Sequence, residues 1–303
     1  MGCGSFTTSA YCSYATSVGA SYDTSSGRLV GQSFKSNRID ESLNPRKFNI
    51  RECVNSDEHP NTIPVILALD VTGSMGSACK ETAATLGIII TNLYEKFKDI
   101  EFCVMGIGDL AYDSAPIQMS QFESDVRIAE ALDKIYMEYG GGGNGYESYS
   151  AAWYMGLKRT KLDCFDKQGR KGIIITMGDE PLNPYLPKFQ LNDSIGGFGF
   201  AESDIDTKKL YNEAIEKFDI YHIAVDHPDT SYRHYKQDIE KTFGQLLGSK
   251  LKISSIDNLS NTIENCITES VQSNGVMLLD SVQTEEETNI NSTIINENGE
   301  ISW

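Results

Sequence analysis

Three nearly continuous apolar runs in this chain end on an acidic residue: IPVILALD at 63–70, EFCVMGIGD at 101–109 and KGIIITMGDE at 171–180. A run of this kind has no polar face, so it needs cover on both sides, which is the environment of a central strand in a parallel sheet. Between the runs, apolar residues recur at helical spacing: Ala83, Leu86, Ile89, Ile90, Leu93 and Phe97 within 77–98, and Val126, Ile128, Ala129, Leu132 and Ile135 within 125–135. Strands alternating with amphipathic helices predict an α/β domain with helices on both faces of the sheet. Parallel strands end on a common edge, and ligands bind in the crevice outside that edge. The three acidic strand ends are therefore expected to converge.

The same pattern continues along the chain. IQMSQF is expected to form an edge strand, a helix is expected from Glu147 to Lys158, and residues 182–203 form a loop insertion. A helix at DIDTKKLYNEAIEKF, the strand DIYHIAVD, a helix near YRHYKQDIEKTFGQLL, the strand LKISSID and a helix at NLSNTIENCITESV follow. Residues 1 to about 45 are rich in Ser, Gly, Thr and Tyr, and residues 1–62 are expected to form a partly irregular arm, with a short strand at KFNIRE, that packs on the main domain. Residues 63–273 form the main domain, and 274–303 an acidic, Asn-rich tail.

Composition narrows the function classes. Forty-three acidic against 26 basic side chains give a net charge of −17, which repels phosphate backbones and anionic lipid, so neither nucleic acid nor membrane is expected as a partner. The seven cysteines include no CxxC pair, and most are expected to be buried thiols, not a disulfide framework or a zinc site. With no basic, apolar leader and no run long enough to span a bilayer, the chain is expected in the cytoplasm. His59, His222, His227 and His234 stand in no metal-binding or triad pattern and are expected to be core or surface residues.

Asp70-x-Thr72-x-Ser74 sets one carboxylate and two hydroxyls at the end of the first strand, Asp109 follows the second, and Asp179 and Glu180 follow the third. Hard divalent cations take about six oxygen ligands, and Mg²⁺ uses few carboxylates and keeps several waters. A metal held largely by neutral hydroxyls and water retains positive charge and accepts a carboxylate from outside. The competing readings are a helix cap, which needs one such residue, a phosphate loop at GGGGNG, which lacks a following Lys-Ser/Thr, and a nucleophilic Asp, which wants a second Asp at position 72.

DVTGSMG after an apolar strand, GGGGNGYES opening a helix, and IIITMGDEP together resemble the von Willebrand factor A domain and its metal-ion-dependent adhesion site. The resemblance covers about residues 63–273. RECVNSDEHPNT, leading into the first strand, resembles a lead-in of bacterial and phage proteins that carry this domain. The resemblance implies a Rossmann-like α/β fold with a mostly parallel sheet of about six strands, and Mg²⁺ or Mn²⁺ bound by Asp70, Thr72, Ser74, Asn144 and Asp179. Asn144 stands where relatives have Thr or Asp, and Glu147 matches the glutamate of a GGGDxPE variant. MGDEP replaces the commoner TDGEP, so Glu180 is an alternate ligand, and Asp109 is a further one, directly or through water. The implied role is a protein-interaction module that docks a partner's acidic residue on the metal, in a multi-protein or AAA+ ATPase-associated assembly, with no small-molecule substrate. A metal-activated hydrolase using Glu180 or Glu147 as general base, and a phage virion component, are the alternatives. Asp70, read as lying at the solvent-facing end of its strand, is expected to be replaceable by Ala without loss of the fold.

Overall fold

Eight successive buried residues, Ile63–Asp70 (β1), run through the middle of a six-stranded sheet. The other strands are β2 (Ile100–Ile107), β3 (Ile117–Met119), β4 (Gly172–Gly178), β5 (Phe218–Val225) and β6 (Leu251–Ser254), in the spatial order β6-β5-β4-β1-β2-β3. Five strands are parallel and β3 is antiparallel to β2, so the sheet is mixed, with the expected edge strand reversed. The computed structural model describes residues 5–275, apart from 24, 32–33, 35, 140–142 and 197–200. Cys3, three glycines of GGGGNG (Gly140, Gly141, Gly142) and the tail from 276 onward lie outside the described residues.

The α-helices longer than about one turn are, in chain order, α1 (Thr8–Ser17), α2 (Gly76–Lys96), α3 (Arg127–Asp133), α4 (Ser150–Arg159), α5 (Lys188–Ile195), α6 (Thr207–Ala214), α7 (Tyr232–Thr242) and α8 (Leu259–Ser273). Because strand side chains alternate, β1 divides its residues between two cores. Val65, Leu67 and Leu69 pack with α2, α3 and α8, while Ile66 and Ala68 pack with α4, α6 and α7. Both faces are covered, which is why the strand carries no polar alternation. The expected insertion at 182–203 holds α5, and Tyr185–Leu186 pairs with Ile205–Asp206 just ahead of α6. Asp206 caps α6 by accepting from Lys209 N at 2.8 Å. Cys53, Cys79, Cys103, Cys164 and Cys266 are buried free thiols, as their scatter suggested. No helix among the described residues is long and apolar enough to cross a membrane.

The arm departs from its reading. α1 has few apolar residues and no visible periodicity in sequence, yet it forms a helix with Thr7 as its cap and buries Tyr11, Tyr14 and Ala15. Phe6, Tyr11, Tyr14, Phe34 and Leu43 belong to the same core as β1 and α2, so the arm supplies part of the sheet's cover. A hairpin, Ser21–Asp23 with Arg28–Val30, follows, and Arg28 grips Glu81 of α2 through two bonds of 2.7 Å. The strand expected near KFNIRE is Arg51–Cys53, paired in parallel with Thr160–Leu162.

Arg159, 1 % exposed at the end of α4, fastens this last segment. Its guanidinium donates to the carbonyls of Pro45 (3.1 Å), Asn49 (2.5 Å) and Phe48. Arg159→Met keeps the apolar stem and deletes the donors, stranding the buried Pro45 carbonyl, at about 1–3 kcal/mol when unpaired, and releasing the less buried Phe48 and Asn49 carbonyls. The expected loss is about 3 kcal/mol in urea unfolding, and a change within about 0.5 kcal/mol would mean that the segment is not held here.

Candidate metal centre

The register of the sheet decides where the acids fall. Asp70 pairs with Ile107 across β1 and β2, and Leu69 pairs with Met177 across β1 and β4. Asp109 and Asp179 therefore extend just past their strands on the same edge as Asp70, as the sequence implied.

Asp70 is fully buried, which corrects the expectation of a solvent-facing side chain. Oδ1 accepts from the Thr72 amide at 2.9 Å and the Thr72 hydroxyl at 2.5 Å, and Oδ2 accepts from the Tyr149 hydroxyl at 2.6 Å. The carboxylate thus holds its own turn closed before Gly73–Met75 leads into α2. Thr72 is buried with it, and half-buried Ser74 sits against Asp179, where its hydroxyl favours the charged form. Asp179, also fully buried, accepts from the Ser231 amide at 2.6 Å through Oδ2, while Oδ1 has no hydrogen-bond partner.

Tyr149, one residue before α4, belongs to no motif in the sequence that marks it as part of the site. Its phenol donates to Asp70 and lies 3.4 Å from the Glu180 amide, so it bridges the ends of β1 and β4. The residue before Asp179 in MGDEP must be glycine for this to happen: a Cβ on Gly178 would lie 1.9 Å from the Tyr149 oxygen. That glycine was the available signal.

The second strand ends in a loop locked by its own acids. Asp113 Oδ2 accepts from the Asp109 amide at 2.7 Å, and Asp109 Oδ1 accepts from the Ala111 amide at 2.8 Å. Asp109 is 1 % exposed and its Oδ2 has no partner. Ser148 Oγ accepts from Leu110 N at 3.0 Å and ties this loop to the start of α4. Glu147, beside it, is 1 % exposed, with Oε2 likewise unpartnered. Glu147 lies within electrostatic range of Asp70, Glu180, Asp113 and Asp109. Asn144 is half-buried further out on the same loop, and its side chain engages the Tyr146 phenol.

Burial and mutual repulsion push this group of carboxylates toward protonation. Asp70 is raised by desolvation and then by Asp179, and Glu147 by desolvation and then by Asp70 and Glu180. Asp179 is raised by burial, and half-buried Glu180 is pushed up to about 7 by burial, Asp179 and Asp109. Several acids forced together out of water disfavour their own charges, and a cation among them reverses that. Among the described residues, three oxygens, Asp109 Oδ2, Glu147 Oε2 and Asp179 Oδ1, accept no hydrogen bond, and buried polar atoms are ordinarily paired. Among the described residues, no three of His, Cys, Asp and Glu are grouped to hold a metal between them. A carboxylate cage is thus not what this edge offers. The donors that fit a cation here are two or so carboxylates supplemented by the Thr72 and Ser74 hydroxyls and by water, which suits Mg²⁺ or Mn²⁺.

Behind the site, His222 is fully buried on β5, stacked on Phe243 at 3.7 Å between ring centres, with Nδ1 2.9 Å from Thr176 Oγ1. Burial holds its pKa down from 6.5 to about 3. As pH falls below 6.5 the unfolded chain takes up a proton that the folded chain refuses until about 3, so stability declines across that window. His222→Gln is expected to flatten the acid limb of a stability–pH curve; an unchanged limb would show that His222 is charged in the fold.

No protein-family model matches the chain, and no curated protein matches it. Among solved structures, the pilus adhesin SpaC from Lactobacillus rhamnosus GG in its open conformation is similar at 13 % identity and a TM-score of 0.47, over 75 % of this chain and 31 % of that one. Proximal thread matrix protein 1 from the mussel byssus, with a zinc-occupied MIDAS motif, is similar at 11 % identity and a TM-score of 0.44, over 68 % of this chain and 47 % of that one. The chain spans about a third of the adhesin and just under half of the byssus protein.

Proposed function

We propose that this chain is a protein-interaction module of the von Willebrand factor A type, which docks a partner's carboxylate on Mg²⁺ or Mn²⁺ at the common edge of β1, β2 and β4. The observation that carries the reading is the set of three buried carboxylates at that edge, each with an oxygen that accepts no hydrogen bond among the described residues. Asp70, Thr72, Ser74 and Asp179 would hold the ion, with Asp109 and Glu147 accepting from its waters. When bound, the metal supplies positive charge that the hydroxyl ligands do not neutralise, so an acidic side chain from outside is attracted to it. The chain's own residues keep the site ready: Thr72 and Tyr149 fix both oxygens of Asp70, and the Ser231 amide fixes Asp179. A partner within a multi-protein or AAA+ ATPase-associated assembly suits this role.

The donors are all oxygens, so calorimetry is expected to give micromolar to millimolar Mg²⁺ and Mn²⁺ binding in preference to Zn²⁺. Tight Zn²⁺ binding with none for Mg²⁺ would overturn the reading. A pull-down run with and without EDTA is expected to lose its specific partner when the metal is removed. The second reading, a metal-activated hydrolase, is favoured by Glu180, half-buried at the edge with its pKa pushed up to about 7, where a general base works. Metal-dependent turnover of phosphoester or peptide substrates, lost in Glu180→Gln, would favour it over docking.

A further inference from the structure

Seven large apolar or aromatic side chains stand out from the described surface, and three of them, Tyr112, Tyr139 and Tyr185, 60, 62 and 43 % exposed, stand near the edge that carries the carboxylates. Exposed aromatic clusters of this kind mark interaction sites, and Tyr is favoured in them because one end is apolar and the other takes hydrogen bonds. The tyrosines come from separate segments. Tyr112 follows Asp109, and the Tyr139 backbone lies against Gly73 in the Asp70–Ser74 turn. Half-buried Tyr146 is within electrostatic range of Tyr185, Asp109 and Tyr112. Half-buried Tyr235 stands in the same relation to Glu180 and Asp179, and its hydroxyl faces Gly145. Tyr139 holds φ at +51°, a conformation that bulky residues avoid, and its side chain stays in solvent. The result is a ring of phenol faces around an acidic centre.

Charge decides what such a ring receives. Its centre holds Asp109, Glu147, Asp179 and Glu180, and the whole chain carries −17, so this edge favours a cationic partner over an anionic one outside the metal itself. Aromatic faces are themselves negative and prefer guanidinium or ammonium groups. We propose that the tyrosine ring is the docking surface for a basic protein segment, one whose single acidic residue meets the metal while flanking arginine or lysine side chains lie over Tyr112, Tyr146 and Tyr185. This rests on the metal reading above and adds what surrounds the docked carboxylate. An acidic or neutral segment carrying the same carboxylate would miss the ring contacts.

Three acetylated, amidated peptides test it by calorimetry on the full chain with saturating Mg²⁺: Ala-Arg-Ala-Glu-Ala-Arg-Ala, the same peptide with both arginines replaced by citrulline, and the arginine peptide with Gln in place of Glu. A cation over an exposed ring contributes about 2–5-fold in affinity. The arginine peptide is expected to bind at least about 5-fold more tightly than the citrulline peptide, and the Gln peptide to lose its dependence on Mg²⁺. In a Tyr112→Ser, Tyr185→Ser double variant the arginine advantage is expected to vanish. Val30→Ser, which removes an exposed side chain on the arm hairpin, is expected to preserve it. Equal binding of the arginine and citrulline peptides by protein whose melting temperature rises with Mg²⁺ would overturn the ring's role and leave the metal reading standing. So would binding of neither peptide at up to about 10 mM. A wild-type protein whose melting temperature does not respond to Mg²⁺ would overturn both.

Discussion

Asp70→Asn is expected to abolish the response of the protein to Mg²⁺ while leaving it folded. Asparagine keeps the shape and one acceptor oxygen but removes a charge that the surrounding fold tolerates poorly, since Asp70 is fully buried and repelled by Asp179. In metal-free protein the loss of that charge relieves Asp179 and Glu147, so stability holds or rises slightly. At a Mg²⁺ concentration about 100 times the dissociation constant, bound metal stabilises the wild type by about 2.7 kcal/mol, a rise of about 5 °C in melting temperature. The variant is expected to show none of it. Asp70→Ala is a poorer test, contrary to the expectation for an exposed side chain. It strands the Tyr149 hydroxyl and the Thr72 amide in a buried site, at about 1–3 kcal/mol for each unmet donor. An Asp70→Asn protein that still melts higher with Mg²⁺ would remove this residue from the site.

Gly178→Ala is expected to cost about 3 kcal/mol or more, the largest stability loss for so small a change. The added methyl would lie 1.9 Å from the Tyr149 oxygen and 2.4 and 2.5 Å from two of its ring carbons. Tyr149 cannot step aside, because it is fully buried against His222 and Phe243, with ring centres 5.0 and 5.6 Å away. The same clash would pull its hydroxyl off Asp70, so Mg²⁺ binding should weaken together with stability. Combining Gly178→Ala with Tyr149→Ala makes room for the methyl, and the double variant is expected to lose less than the sum of the two single losses. Additive losses in denaturant unfolding would mean that the two residues are not in contact.

The central sheet was legible because burial on both faces leaves a direct trace, the near-continuous apolar runs of β1, β2 and β4, and because each run stops at an acid. The strand ends named Asp70, Asp109 and Asp179 correctly as neighbours, since register in a parallel sheet brings equivalent ends together. What escaped was carried by contacts between segments distant in sequence. α1 looks irregular because its buried face is made of Tyr11, Tyr14 and Ala15 among hydroxyl residues, and only the surfaces of α2 and α3 make that face useful. Tyr149 reads as core, and its bond to Asp70 spans 79 positions of sequence. Glu147 was legible from the loop motif as a candidate beside Asn144, but its burial within electrostatic range of Asp70 and its unpartnered oxygen are set by contacts that no periodicity can reveal. The burial of Asp70 was missed for the same reason: the turn, the tyrosine and α4 that enclose it come from different parts of the chain.

The most direct test is crystallographic. Crystals grown with Mn²⁺ and measured at the manganese absorption edge are expected to show one strong anomalous peak at the end of β1, held by oxygens of Asp70, Thr72, Ser74 and Asp179, directly or through water. A map with no peak at that edge under millimolar Mn²⁺, with Asp70 still closed on Thr72 and Tyr149, would contradict the account and leave these residues as the architecture of a turn.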